Sequence, residues 1–338
     1  MPDDAASTAT PRGAAEVASA LPSPPTWRRW LGPVVRVLGT LALMALALRG
    51  VEWGRLWGVL RGADWRWWIA GLALMLAVQW IAAIRWAILA RPVGFDFPLA
   101  VFVRRFFEGL FFNMFLPSSI GGDVVKAYRL ADTNAGRVLA ACTVLADRLA
   151  GLTALGLIAT TALISHRHSL PALEAMAVAA ALCGATMLAA RLAVGNLERL
   201  GALLPAHPAA EAIVARLLPY QRRPTLVTSA IGWGLLVQVG GVLATSCVGR
   251  ALGVQIPLLT WFMVVPLVSL ATVLPISIGG VGVREGMMSV LLAPHGVRAE
   301  TAVAIGLLSL LINLVCGLVG GIVFLGGART TAPPPAGN

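Results

Sequence analysis

An all-α integral membrane fold, with about six spanning helices and two re-entrant helical hairpins in an inverted-topology repeat, is what this sequence predicts. Three observations carry the prediction. Apolar residues fill 58% of the 338 positions and charged residues 12%, about half the charged share of an ordinary soluble domain. Several apolar windows of about 18 to 25 residues are long enough to cross hydrocarbon as helices. One motif occurs twice: Leu116-Pro-Ser-Ser-Ile-Gly-Gly-Asp-Val-Val-Lys126 agrees with Leu274-Pro-Ile-Ser-Ile-Gly-Gly-Val-Gly-Val-Arg284 at seven of eleven positions, and a cation closes both copies.

In chain order, residues 1–30 are rich in Ala, Ser, Thr and Pro and carry Asp3, Asp4 and Glu16. An acidic start without a basic segment leading into an apolar one reads as a disordered tail and not as a cleaved signal peptide. One transport domain is expected over 31–326, with spans near 31–48, 67–90, 138–164, 170–190, 226–249 and 299–325. Residues 327–338 form a second disordered tail. The stretches 99–116 and 258–275 each run into a copy of the motif, where Pro and a Gly pair break the helix. Eleven Trp, including Trp53, Trp57, Trp65, Trp67 and Trp68, cluster at span ends as an interfacial belt.

Arginine placement separates two layouts. If both motif-bearing stretches span outright, the basic loop Arg191 to Arg223 falls on the opposite side from Arg12, Arg28 and Arg29. If each stretch dips in and returns, both termini lie on the cytoplasmic side, which collects fifteen Lys/Arg against eight outside. The positive-inside rule selects the second layout. Motif one then enters from the cytoplasm and motif two from outside, within repeat A at about 67–164 and repeat B at about 226–325. Duplicated, Gly/Pro-interrupted segments of inverted orientation mark the substrate site of many transporters. A plainer explanation is that both Gly-Gly pairs are points of close helix packing.

The polar residues of the motifs suit an anion. Backbone freed at Pro117 and at Gly121-Gly122 persists only beside protein or a water-filled cavity. A helix starting near Asp123 would place Asp123, Lys126 and Arg129 on one face. Exposed amides and two cations at a helix N-terminus favour a phosphate. In motif two, a helix from about Val281 to Val283 would carry Arg284, the better phosphate fork, with Glu285 favouring the dipole of its first turn. Asn113, Ser119 and Ser277, with the glycines Gly121, Gly122, Gly279 and Gly280, complete the expected substrate-binding set. Gating or coupling is expected from Asp123, Glu285, Asp147 and Arg148, and from Arg104 and Glu108, which are spaced i, i+4. Asp147 and Arg148 point about 100° apart on one helix, so each needs a partner elsewhere.

Several functions are disfavoured. Cys142, Cys183, Cys247 and Cys316 sit singly inside predicted spans, and His166, His168, His207 and His295 form no ligand set, so neither a metal nor a cofactor is expected. No basic stretch is interleaved with aromatics in a soluble segment, which argues against nucleic acid. Phosphate-binding loops, nucleophile elbows and dinucleotide fingerprints do not occur.

Three motifs in order, Phe106-Phe-Glu-Gly-Leu-Phe-Phe-Asn-Met-Phe-Leu-Pro-Ser-Ser-Ile-Gly-Gly-Asp-Val-Val-Lys-Ala-Tyr-Arg129, Ala146-Asp-Arg-Leu-Ala-Gly-Leu152 and Leu274 to Gly286, resemble the flippase-like membrane domain of the lysylphosphatidylglycerol synthase/flippase family. The resemblance covers nearly the whole chain apart from the tails. It implies movement of a lipid, often one with a modified or glycosylated headgroup, between bilayer leaflets, without the aminoacyl-transferase domain of bifunctional members; joined to the anion-suited motifs, it gives the expectation of a flippase for anionic or modified-headgroup lipids of the bacterial inner membrane. On this expectation Lys126 and Arg284 bind the headgroup from opposite sides, and the chain is a transporter and not an enzyme. Its rivals are a scaffold partner of a lipid-synthesis enzyme and an integral lipid-phosphate glycosyl- or acyl-transferase using Asp123 or Glu285 as base.

Overall fold

The computed structural model describes residues 26–115, 121–164, 184, 208–273 and 277–326. These residues are helical, with no strand among them. Eleven α-helices follow in order: α1 Thr26–Ala47, α2 Trp53–Arg61, α3 Trp65–Ala90, α4 Leu99–Phe115, α5 Gly121–Leu130, α6 Asn134–Ile164, α7 Pro208–Arg222, α8 Pro224–Ala251, α9 Leu258–Val273, α10 Val283–Leu292 and α11 Ala299–Gly326. Four of them, α3, α6, α8 and α11, are long and apolar enough to cross a membrane. They coincide with four of the expected spans. The span expected at 31–48 overlaps α1 as far as Ala47, and that at 170–190 lies outside the described residues, apart from Gly184.

Surface chemistry supports a lipid environment. Ile322 and Leu325 on α11 are 71% and 75% exposed, with Leu145, Val290 and Leu318 also on the surface. Apolar surface of this extent is tolerated when hydrocarbon is the solvent.

Two helices were not expected. The nine-residue α2 carries Arg55, Arg61 and two exposed Trp, and buries Leu56 against α11. Too short and polar to span, it has the composition of an interfacial helix. The second, α7, lies in the basic loop and packs on α6 and α8. Its Tyr220 hydroxyl donates to the Leu89 carbonyl at 2.7 Å. Asp64 starts α3, its Oδ1 accepting from the Arg66 N–H at 3.0 Å, which satisfies one orphan donor of the first turn.

A second duplication becomes visible at the helix ends. Arg91-Pro-Val-Gly-Phe-Asp-Phe-Pro-Leu99 follows α3, and Arg250-Ala-Leu-Gly-Val-Gln-Ile-Pro-Leu258 follows α8. Each makes the same turn: the Gly94 and Phe95 N–H groups donate to Arg91 and Ala90, and the Gly253 and Val254 N–H groups to Arg250 and Gly249. Both Gly adopt positive φ, the usual close of a helix C-terminus. Pro98 and Pro257 then lead into α4 and α9.

Packing repeats as well. In the first half α4 packs on α5, α5 on α6 and α3 on α4; in the second half α9 packs on α10, α10 on α11 and α8 on α9. Across the halves, α4 lies on α11 and α9 on α6, while α3 and α8 form the most extensive pair. Those two run antiparallel: Gly71 meets Ala244 and Cys247, Val78 meets Gly240, and Arg85 lies beside Gly234. Small residues at these crossings let the backbones approach, the main source of helix association in lipid. Two apolar cores form, one around Trp86, Phe102 and Phe107 with Ala230 of α8 added from the second half, the other around Trp261, Leu292 and Ile305 with Trp68 of α3 added from the first. Helix α1 stands outside this pairing and packs on α10, with the Ile278 N–H donating to Thr40 Oγ1 at 2.9 Å.

Candidate functional site

Helices α9 and α10 form a hairpin whose return carries motif two. Ser277 is extended, Ile278–Gly280 makes one tight turn, and α10 starts at Val283. Gly279 and Gly280 sit at φ +62° and +75°, a region that costs an L-residue about 1–2 kcal/mol. Glu285 is completely buried; its Oε2 accepts from the Gly282 N–H at 2.7 Å, and its Oε1 has no hydrogen-bond partner. The carboxylate therefore closes the first turn of α10. It packs beside Gly306 of α11, where a β-carbon would collide with it.

Arg284 points instead into a cavity of about 260 Å³ between α3, α8, α9, α10 and α11. Polar lining comes from Gln79, Gln238, Ser269, Ser309 and Asn313. The Arg284 Nη1 is buried and unpartnered, as is Ser309 Oγ. Gln238 Nε2 donates to the Gly151 carbonyl at 3.3 Å and Asn313 Nδ2 to Ser309 at 3.1 Å. A buried guanidinium with an unused nitrogen, facing amides and hydroxyls, can donate to an anion that enters the cavity.

In the first half, α4 and α5 form the matching hairpin. Gly122 lies against the Gly109 carbonyl and Asn113, and its N–H donates to Asn113 Oδ1 at 2.8 Å. Asn113 thus caps α5 from the opposite arm. Gly121 and Gly122 are helical here, whereas Gly279 and Gly280 are left-handed, so the two copies of the motif differ in backbone. Ser119 lies outside the described residues.

Charges in this half form three groups. Lys126 Nζ reaches Asp123 Oδ1 at 3.2 Å and stands 4.0 Å from the Phe106 ring centre. Arg148 grips the same carboxylate twice, Nε to Oδ2 at 2.7 Å and Nη2 to Oδ1 at 3.0 Å. Its neighbour Asp147 takes Arg85 of α3, at 2.7 and 3.1 Å, with both side chains 7% exposed. Adjacent residues of α6 therefore bind two different helices, which their divergence of about 100° requires. Finally, Glu108 is fully buried and accepts from Arg104 Nε at 3.1 Å and Arg105 Nη1 at 3.0 Å, and Arg129 Nε lies 3.2 Å from it.

The structure therefore sorts the expected residues into separate places. Arg284 lines the cavity and Lys126 does not; Lys126 is enclosed by Asp123 and Phe106. Arg129, three residues after Lys126, meets the same neighbouring helix: its Nε reaches Glu108 of α4, while Lys126 packs on Phe106 and Gly109 of α4. Arg105 and Arg85 were not among the expected site residues. Arg105, three residues before Glu108, carried the helical spacing that could have flagged it. Arg85 carried only its depth within a span.

No curated protein matches this chain significantly. Residues 33–321, nearly the whole transmembrane domain, match the sequence model of the lysylphosphatidylglycerol synthase TM region, and the chain belongs to that family.

Proposed function

We propose that the protein is a flippase that carries lipids with an anionic or modified headgroup between the leaflets of the bacterial inner membrane, with both termini cytoplasmic. Family membership relates the chain to membrane lipids. The observation that carries the transport reading is the unpaired Nη1 of Arg284 at the wall of a polar cavity inside an apolar helix bundle. An ionisable group at that depth is costly unless something anionic visits it. The headgroup enters this cavity, and the acyl chains stay in lipid.

The mechanism is alternating access between inverted repeats, A at about 67–164 and B at about 226–325. Antiparallel α3 and α8, the two hairpins and the reciprocal packing of α4 on α11 and α9 on α6 support that reading. Hairpin one is latched to α6 through Asp123 and Arg148, and α6 to α3 through Asp147 and Arg85. Lys126 holds Asp123 within the latch, while Arg284 faces the headgroup. No nucleotide-binding motif is present in the sequence, so a gradient or substrate imbalance drives exchange, and Asp123, Asp147 or Glu285 carries any coupling proton.

Leaflet exchange of fluorescent anionic lipids in proteoliposomes tests the proposal. Arg284→Ala abolishes exchange while purification and oligomeric profile stay unchanged. Exchange at the wild-type rate in that variant removes Arg284 from the headgroup site. Exchange by the purified protein alone also separates transport from a scaffold role.

A further inference from the structure

We infer that the end of the bundle where α3 starts and α8 stops carries a docking site for a phospholipid of the surrounding bilayer, separate from the Arg284 cavity, with Arg250 holding the phosphate and Trp67 and Trp261 walling the headgroup. The site stands on contacts of its own and does not depend on the transport reading.

The Asp64 N–H donates to the Ala251 carbonyl at 2.8 Å, which fastens the start of α3 to the end of α8. Beside this junction, between α3, α8 and the turn that leads into α9, lies a cavity of about 610 Å³ whose lining includes Trp67, Ser246, Arg250, Gln255, Leu258 and Trp261. Ser246 and Arg250 are spaced i, i+4 and so share one face of α8. Trp261 is a fixed wall: it is buried, and its ring occupies the space that a β-carbon at Gly249 would need. Trp67, Gln255 and Leu258 are exposed and leave the cavity open at its rim.

The duplicated turn isolates what is particular to Arg250. Arg91 holds the same place after α3, and its Nε and Nη2 donate to the Phe97 carbonyl at 3.3 and 3.2 Å, so its guanidinium fastens its own turn. Arg250 makes the same backbone turn without that contact. Its guanidinium stands 4.9 Å over the Trp67 ring and takes no carboxylate or carbonyl among the described residues. The third residue of α3 is Trp67 and the third of α8 is Leu226, so the guanidinium–indole pair belongs to one half only. A cation at a helix C-terminus suits the dipole with no ligand at all, but this one keeps its N–H donors beside an open cavity, and phosphate oxygens are their best acceptors. The surroundings select the source of the phosphate. Trp53, Trp57 and Trp65 are exposed on α2 and at the start of α3, and with Trp67 they form an aromatic belt that marks headgroup depth. Leu258 at the rim offers apolar surface to the glycerol and the first carbons of an acyl chain. A lipid phosphate meets both features, whereas free phosphate meets the cation alone.

The test uses the full chain in detergent with a phosphatidylglycerol that carries a photoreactive group on its acyl chain next to the glycerol, and crosslinks are mapped on peptides by mass spectrometry. Wild type is labelled at Trp67 and within residues 246–261, a readout that keeps this site apart from lipid bound in the Arg284 cavity. Arg250→Gln lowers that labelling about tenfold, the scale of one hydrogen bond to a charged group. Trp67→Leu lowers labelling within 246–261 about threefold, the scale of an exposed cation–π contact, and covers the case in which Arg250→Gln fails to fold. Arg55→Gln, at an exposed position on α2, leaves labelling unchanged. Unlabelled phosphatidylglycerol competes, and monogalactosyl diacylglycerol, which has hydroxyls but no phosphate, does not. Labelling at these residues that survives both Arg250→Gln and Trp67→Leu overturns the proposal, as does an equal loss with Arg55→Gln or equal competition by the glycolipid. Displacement by millimolar inorganic phosphate overturns the lipid assignment; resistance to it supports that assignment.

Discussion

Arg85 of α3 and Asp147 of α6 form a two-pronged ion pair, Nε to Oδ1 at 2.7 Å and Nη2 to Oδ2 at 3.1 Å, with only 7% of either side chain exposed. Gly151 and Gly234 flank the guanidinium on α6 and α8, so three long helices meet at this pair. Removing one partner strands the other charge. Arg85→Leu is therefore expected to lower stability by about 3–5 kcal/mol, and the double variant Arg85→Leu/Asp147→Leu by much less. Thermal unfolding in detergent checks this, and a double variant no more stable than the single one rules it out.

Asp123 and Arg148 differ in what their loss leaves behind. Arg148→Ala leaves Asp123 still paired with Lys126, and the Arg148 side chain is about half exposed (51%); its effect on stability is about 0–1 kcal/mol. Asp123→Ala leaves Lys126 buried at 4% exposure without its carboxylate and costs more, about 3–5 kcal/mol. Both variants lose leaflet exchange if the latch is part of the transport cycle. Parallel melting curves and exchange rates separate the stability effect from the functional one.

Gly122 is the packing point of hairpin one. A β-carbon there would run into the Gly109 carbonyl and Asn113, so Gly122→Ala spreads the hairpin arms and costs about 1–3 kcal/mol. Gly241 on α8 has open space around its would-be β-carbon, and Gly241→Ala serves as the control, with helix propensity favouring alanine. A Gly122→Ala protein that melts at the wild-type temperature contradicts the packing account.

The proposed inverted arrangement predicts sidedness. In a background with all four cysteines replaced, Thr133→Cys before α6 and Arg298→Cys before α11 are both at exposed turns. Membrane-impermeant maleimide is expected to label them from opposite faces of sealed vesicles. Labelling from a single face would leave the two halves parallel, and alternating access through inverted repeats would lose its basis.

How much was legible beforehand depends on the range of the interaction. Apolar length alone located α3, α6, α8 and α11, because a spanning helix satisfies its own backbone and must be apolar all round. The repeated Leu-Pro-x-Ser-Ile-Gly-Gly marked where α4 gives way to α5 and α9 to α10, since Gly and Pro act on the local backbone. The second repeat, Arg-x-x-Gly to Pro-Leu, was equally local, but it lay in connections between apolar runs and became meaningful only with matching turns on the page. Helices α2 and α7 were missed because their stability comes from packing on α11, α6 and α8 and not from apolar length.

Sequence by itself determined that this is a helical membrane protein, where its chain breaks, and which charges stand in apolar surroundings, because composition and backbone chemistry act over a few residues. Tertiary structure alone decided the partners of those charges. Arg129 lies one turn from Lys126, yet its partner is Glu108 on another helix; Asp147 and Arg148 are neighbours, yet one binds α3 and the other α5. Charge pairing in a bundle follows the distance between helices, which side-chain volume at the crossings sets, and that distance is not written along the chain. It is also why Arg284 faces a cavity unpaired while Lys126, its counterpart in the repeat, is enclosed.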